Sequence, residues 1–197
     1  MPKGRKVNSS GEKSKKLLLE KAIELFSTNG YHETKISDIV KAANLTQPTF
    51  YLYFQSKESL YKDLIEQFQN NFFEIVHNDL ENKPSANRSF IHNIKEALVK
   101  IFTYFAGNLF LTKIGFYDSV EAESIKEKFA LALSDKLQEN QEINFSSEIE
   151  VKIFADMIVG AVERLTLTAL FTELREPEQL AEDIVNIYFI SQKELVR

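Results

Sequence analysis

Residues 45–60 read LTQPTFYLYFQSKESL. Four rings fall within five residues, Phe50, Tyr51, Tyr53 and Phe54, and they divide by chemistry. On a helix over 47–54, turning about 100° per residue, Phe50 and Phe54 are four apart and share a face. Neither has a polar handle, so both are expected to point into a core. Gln47, Pro48, Tyr51, Leu52 and Gln55 fall on the opposite side, with Thr49 and Tyr53 at the flank. One face is greasy and the other is equipped to meet something wet.

Working outward, the same helical period recurs along the whole chain, while alternating apolar and polar runs are scarce. Upstream, Leu18, Leu19, Ala22, Ile23 and Phe26 line one face of a helix near 13–29. Asn29-Gly30 is a stop signal, since both residues tolerate positive φ. Thr34 is read as the cap of a short helix near 35–42, with Asn44 as the turn residue after it. Thr46 is read as the cap of the helix bearing the rings, and Ser56 as the cap of a long helix reaching to about Leu80. Downstream of a break at 81–85, helices are expected near 86–106, 109–117, 121–140, 147–172 and 178–195, the last opened by Pro177. The fold class is therefore all-α.

A short helix, a tight turn and a second helix with a polar outer face make a helix-turn-helix. In that motif the second helix enters the DNA major groove with its N-terminus leading. Gln47 and Thr49 then stand where base edges are read: Gln pairs with adenine, and Thr bonds or touches a thymine methyl. Pro48 and Thr46 belong to the same leading turn. The hydroxyls of Tyr51 and Tyr53, the ammonium groups of Lys57 and Lys35, and Ser37 and Thr34 beside them are candidate phosphate partners. The plainer reading stays open for each residue. Aromatics at helical spacing are commonly core, and Thr or Ser ahead of a helix is commonly a cap. Capping is the main role read for Thr34, Thr46 and Ser56.

Charge agrees with a polyanion partner. Residues 1–62 hold 11 Lys/Arg and 6 Asp/Glu, net +5, whereas 63–197 hold 13 and 23, net −10. A basic third on an acidic body fits, although an excess of five also arises by chance. The chain has no Cys, so it has neither disulfides nor thiolate chemistry. No stretch approaches the roughly 18 apolar residues of a membrane span, so no membrane partner is expected. The opening MPKGRKVNSSGEKSKK lacks the apolar core of a secretory signal, and a cytoplasmic location is expected. Glu74-Ile75-Val76-His77 matches the E-x-x-H of di-iron bundles, which need a second such motif; neither His32 nor His92 follows a Glu at that spacing. No P-loop, G-x-S-x-G or zinc spacing is found. No enzyme activity, metal or cofactor is expected. A helical interaction module without DNA, or a first helix lying on anionic membrane, are the alternatives.

The run from Lys15 to Leu60 resembles the DNA-binding domain of the tetracycline repressor (TetR) family. The resemblance is carried by Ala22-Ile23-Glu24-Leu25-Phe26, Asn29-Gly30-Tyr31, Thr34 with Asp38-Ile39-Val40 and Ala42-Ala43, Thr49 to Phe54, and Ser56-Lys57-Glu58-Ser59-Leu60. It departs at Asn44, where Gly is frequent, at Ser37, where many relatives carry Arg, and at Gln47-Pro48, which replaces a basic-glycine pair. Polar, basic composition marks residues 1–12 as a loose arm, and the resemblance implies a helix-turn-helix DNA-binding domain over 13–55 and a larger helical ligand-binding and dimerisation domain over 56–197. It further implies a homodimeric repressor on pseudo-palindromic double-stranded operator DNA, released by a small effector. The Phe-rich middle reads first as plain core, but Phe102, Phe105, Phe110, Phe116, Tyr117 and Phe129 could also line a cavity for a largely apolar or amphipathic effector, with Glu163 for a polar group, for an ion pair or for solvent. Ile158, Val162, Leu165, Ile184, Ile187 and Tyr188, on the two last and most apolar helices, are the expected dimer interface.

Overall fold

The computed structural model describes residues 8–78, 89–140, 143 and 145–190, with side chains from 11 to 189. Every regular element among them is helical. The order is α1 (Asn8–Asn29), α2 (Ile36–Ala42), α3 (Gln47–Tyr51), α4 (Lys57–Val76), α5 (Phe90–Gly107), α6 (Leu109–Thr112), α7 (Ala122–Gln138), α8 (Glu148–Leu165) and α9 (Pro177–Val185). Four of them run on into wider π turns: α4 over residues 77–78, α6 over Lys113–Asp118, α8 over Thr166–Leu170 and α9 over Asn186–Ile190.

The helix boundaries follow local chemistry. Gly30 stops α1 at φ 84°, and its N–H bonds the Phe26 carbonyl at 3.0 Å. Asn44 sits at φ 52°, with the Leu45 N–H on the Val40 carbonyl and the Asn44 N–H on the Lys41 carbonyl. That paired pattern is a Schellman stop, and Asn supplies its left-handed residue as Gly does elsewhere. The Thr46 hydroxyl accepts from the Thr49 N–H, and the Ser56 hydroxyl from the Ser59 N–H. Ser89 and Ser147 cap α5 and α8 in the same way.

Two starts differ from expectation. α1 begins at Asn8, so residues 8–12 are helix; residues 1–7 of the expected arm lie outside the described residues. Gly11 is held within α1 although Gly weakens a helix. The Tyr53 hydroxyl lies 3.4 Å from where a Cβ on Gly11 would stand, an ordinary contact distance. At α2 the cap is Lys35, not Thr34: the Asp38 carboxylate accepts from the Lys35 N–H at 3.1 Å.

The chain forms two compact units. The first holds the residues through Phe68 together with Phe110–Ser119; the second holds Gln69–Leu109 and the residues from Val120 onward. Neither coincides with a cut at 55/56. In the first unit, Leu18, Ala22 and Phe26 of α1, Ile39 and Val40 of α2, Phe50, Phe54, and Leu60, Leu64 and Phe68 of α4 are buried. The Phe50 and Phe54 rings are 5.3 Å apart. Phe68 packs on Phe116 at 6.2 Å and directly over Gly115, whose bare Cα admits the ring.

In the second unit α5 packs along α9 and α7 along α8. Its centre is a cluster of rings, with Phe72 stacked on Phe105 at 5.7 Å and edge-on to Phe129 at 5.3 Å. Lys126 of α7 reaches Glu163 of α8 at 2.7 Å and Glu123 at 2.6 Å. Burial lowers the affinity of that ammonium for its proton, but the two carboxylates outweigh burial and leave its pKa raised.

Candidate DNA-binding site

The polar face of α3 is open. Gln47 and Pro48 are exposed, Tyr51 is 56% exposed and Leu52 is 76% exposed. Thr49 is half-buried and shares a hydrogen bond of 2.9 Å with the Thr46 hydroxyl, so each steadies the other's rotamer. Exposed Lys35 and Ser37 stand at the start of α2. His32, Lys35, Ser37, Gln47, Tyr51, Gln55 and Glu58 line a common concavity of about 430 Å3, to which Thr34 and Lys57 also contribute. Buried Phe50 and Phe54 hold this face outward by anchoring the other side of the same turn.

Three residues expected here are placed otherwise. Thr34 is 1% exposed, and its hydroxyl donates within the head to the Gly30 carbonyl (2.9 Å) or the Leu25 carbonyl (3.2 Å). It cements α1 to the turn and offers no hydroxyl to a phosphate. Tyr53 is half-buried with its hydroxyl against α1, whereas Tyr51 is exposed. Lys57 is half-buried, and its ammonium donates to the main-chain carbonyls of Tyr31, Thr34 and His32 at 2.8, 3.0 and 3.4 Å. A lysine has three N–H donors, and all three are engaged by the protein. Leu52 is the residue that sequence reasoning passed over. It stands exposed at the C-cap of α3, beside Tyr51.

A region of the chain matches the family model described as bacterial regulatory proteins, tetR family, over residues 18–64. Along almost its whole length the chain is also 35% identical to the uncharacterized HTH-type transcriptional regulator YdgC of Bacillus subtilis, over 182 residues that cover 92% of this chain and 93% of that protein. The chain belongs to the TetR family.

As a TetR-family member it is a DNA-binding transcriptional regulator. It is also 33% identical over 93 residues to the fatty acid metabolism regulator protein of the same bacterium, a match covering 46% of this chain and 45% of the relative. Among solved folds, a TetR-like transcriptional regulator from Rhodococcus sp. RHA1 superposes with a TM-score of 0.76 over 96% of this chain and 99% of its own, at 18% identity. FadR from Bacillus subtilis, solved in complex with stearoyl-CoA, superposes with a TM-score of 0.69 over 88% and 96%, at 23% identity.

The residues expected to hold an effector divide between the two units of this TetR-family chain. Phe110, Phe116 and Tyr117 belong to the first, where Phe116 is buried on Phe68 and Phe110 is partly exposed. Phe102, Phe105 and Phe129 are fully buried in the second, the last two in ring contact with Phe72. In this structure they are core. Glu163 is committed to Lys126. The second unit instead presents a cavity of about 550 Å3 between α4 and α7, lined by Gln69, Asn70, Phe73, Glu74, His77, Lys128 and Ala132. The E-x-x-H pair thus lines a cavity, and among the described residues no three His, Cys, Asp or Glu gather to hold a metal.

The expected dimer residues need the same sorting. Ile158, Val162 and Ile184 are buried within one chain, Leu165 and Tyr188 are half-buried, and Ile187 is exposed. The face of α8 through Val151, Ala155, Ile158 and Val162 turns inward. The outer stripe is Ile149, Ile153, Met157 and Gly160, with Ile149 69% exposed. A helix apolar nearly all round has two such faces, and periodicity alone does not say which is inside.

Proposed function

We propose that the protein is a homodimeric repressor that binds a pseudo-palindromic operator and is released by an amphipathic effector. The observation that carries the reading is the open polar face of α3, Gln47 to Tyr51, beside exposed Lys35 and Ser37 on one concavity. Gln47 reads a base edge, Leu52 meets a thymine methyl, and Tyr51 and Lys35 hold phosphates. Repression is supported by the likeness to the icaADBC negative regulator IcaR of Staphylococcus aureus, 27% identical over 137 residues.

Selection of the purified chain against a random duplex library tests this reading. A two-fold symmetric site is expected, lost in a Tyr51→Ala/Lys35→Ala control. Gln47→Ala is expected to relax preference at one position of each half-site and to cost roughly 1–3 kcal/mol of binding. Enrichment of an asymmetric site, or of none, counts against the reading.

Dimerisation through the outer stripe of α8 explains why Ile149, Ile153 and Met157 stand bare in one chain. Met157→Asp would place a charge in the centre of that face and leave the chain's own core untouched. Sedimentation should show the dimer dissociating at protein concentrations at least about tenfold higher than for the wild type. An unchanged dimer would place the interface elsewhere.

The effector is proposed to occupy the α4–α7 cavity, whose Phe73 and Ala132 suit an apolar part and whose Lys128 and Gln69 suit a polar end. FadR, whose fold is shared, was solved with an amphipathic thioester. Gln69, Asn70, Phe73 and Glu74 of α4 line the cavity, and the same helix opens at Lys57 in the DNA-binding head. A ligand that favours one setting of α4 therefore biases the head. The coupling is reciprocal: effector weakens DNA by the factor by which DNA weakens effector.

A further inference from the structure

The turn that joins α1 to α2 aims three carbonyls at one point. After Gly30, at φ 84°, the chain folds back over residues 31–33, and the carbonyls of Tyr31, His32 and Thr34 converge on the Lys57 ammonium. The same ammonium lies 4.3 Å from the centroid of the Tyr31 ring. That ring is wedged against Phe26 at 5.4 Å and Tyr61 at 4.6 Å. The neighbouring Glu58 carboxylate acts on the Tyr31 phenol. Burial and then this carboxylate raise the pKa of the phenol, so it stays a donor. Lys57, the first residue of α4, thus holds this turn, and the turn leads straight into Lys35 and Ser37.

We propose that Lys57 is a positioning residue for DNA binding: its ammonium fills the carbonyl ring of residues 31–34 and so sets where α2 begins, without neutralising a phosphate. The inference rests on the DNA-binding reading of the α2–α3 face. Two consequences separate it from a phosphate contact. A cation that neutralises a phosphate releases a counterion, so its loss flattens the dependence of log K on log salt by about 0.9. Loss of a positioning cation weakens binding at every salt concentration and leaves the slope alone. Arginine also replaces lysine at a phosphate, but its flat fork does not direct three donors into a ring of carbonyls above an aromatic face.

The experiment uses the full chain as wild type, Lys57→Met, Lys57→Arg and Lys35→Met. Affinity for the duplex enriched by selection is measured across a salt series, and amide hydrogen exchange over residues 31–38 is measured without DNA. Both Lys57 variants are expected to bind about tenfold more weakly or worse with the wild-type slope. Both are expected to exchange faster over 31–38 while keeping a cooperative melt. Lys35→Met is expected to lower the slope. The proposal is overturned by a flattened slope in Lys57→Met with rescue by Lys57→Arg, by wild-type affinity in both, or by unchanged exchange. If the wild type enriches no duplex, the DNA reading fails and exchange alone still decides whether Lys57 holds the turn.

Discussion

Phe50→Ala is expected to lower the unfolding free energy of the first unit by roughly 3–5 kcal/mol, the cost of emptying a buried aromatic site. Phe50 has no exposed surface, and its ring meets Phe54 at 5.3 Å and Tyr51 at 5.5 Å. Helix α3 has only five residues, too few to hold a helix by its own hydrogen bonds. Its shape is therefore borrowed from the core that Phe50 enters. Tyr51→Ala, one residue on and exposed, should change stability by no more than about 0.5 kcal/mol while impairing DNA binding. Denaturant titration of both variants checks the pair. A fully stable Phe50→Ala chain that has lost only its DNA affinity would mean that the ring faces outward.

Gly115→Ala is expected to destabilise by about 3 kcal/mol, at the upper end for an overpacked core. A Cβ on Gly115 would overlap the Cδ1, Cγ and Cβ atoms of Phe68. The ring's tip can swing away, but its Cβ is fixed to the backbone of α4, so the helices themselves must shift. Phe68→Ala alone opens a cavity of its own at a cost of roughly 3–5 kcal/mol. In the double variant each change relieves part of the other's fault, and the total should fall short of the sum by at least about 1 kcal/mol. Additive costs in a denaturation cycle would show that the two residues do not meet.

How much of this was legible in the sequence depended on distance along the chain. Gly30, Asn44, Thr46 and Ser56 do their work within a few residues of themselves, so turn and cap chemistry locates them. The inward Phe50 and Phe54 follow from spacing on a single turn. What was not legible depends on partners far away. Lys57 looks like a free cation until the carbonyls of residues 31–34 are brought to it, 23 to 26 positions back. Thr34 has the composition of a cap, yet Asp38 caps α2 from within and frees the Thr34 hydroxyl for Gly30. On α8 both faces are apolar, and the packing of α7 and of the chain from α9 onward decides that Ile158 goes inside while Met157 stays out. That the middle Phe residues are core is the plainer reading of their spacing, but that Phe72 joins Phe105 and Phe129 is not.

The Phe68–Gly115 contact also bears on how DNA-reading heads pass from one regulator to another. A head taken as an unbroken stretch of gene ends near residue 68, yet its compact unit also contains residues 110–119, encoded some forty codons later. Transplanting the first stretch alone leaves Phe68 without Gly115 and Phe116, and puts a large apolar ring in water. The heritable module is thus discontinuous. Recombination that exchanges heads among such regulators is constrained to swap two separate gene segments or to find a recipient that already carries a glycine in the right place.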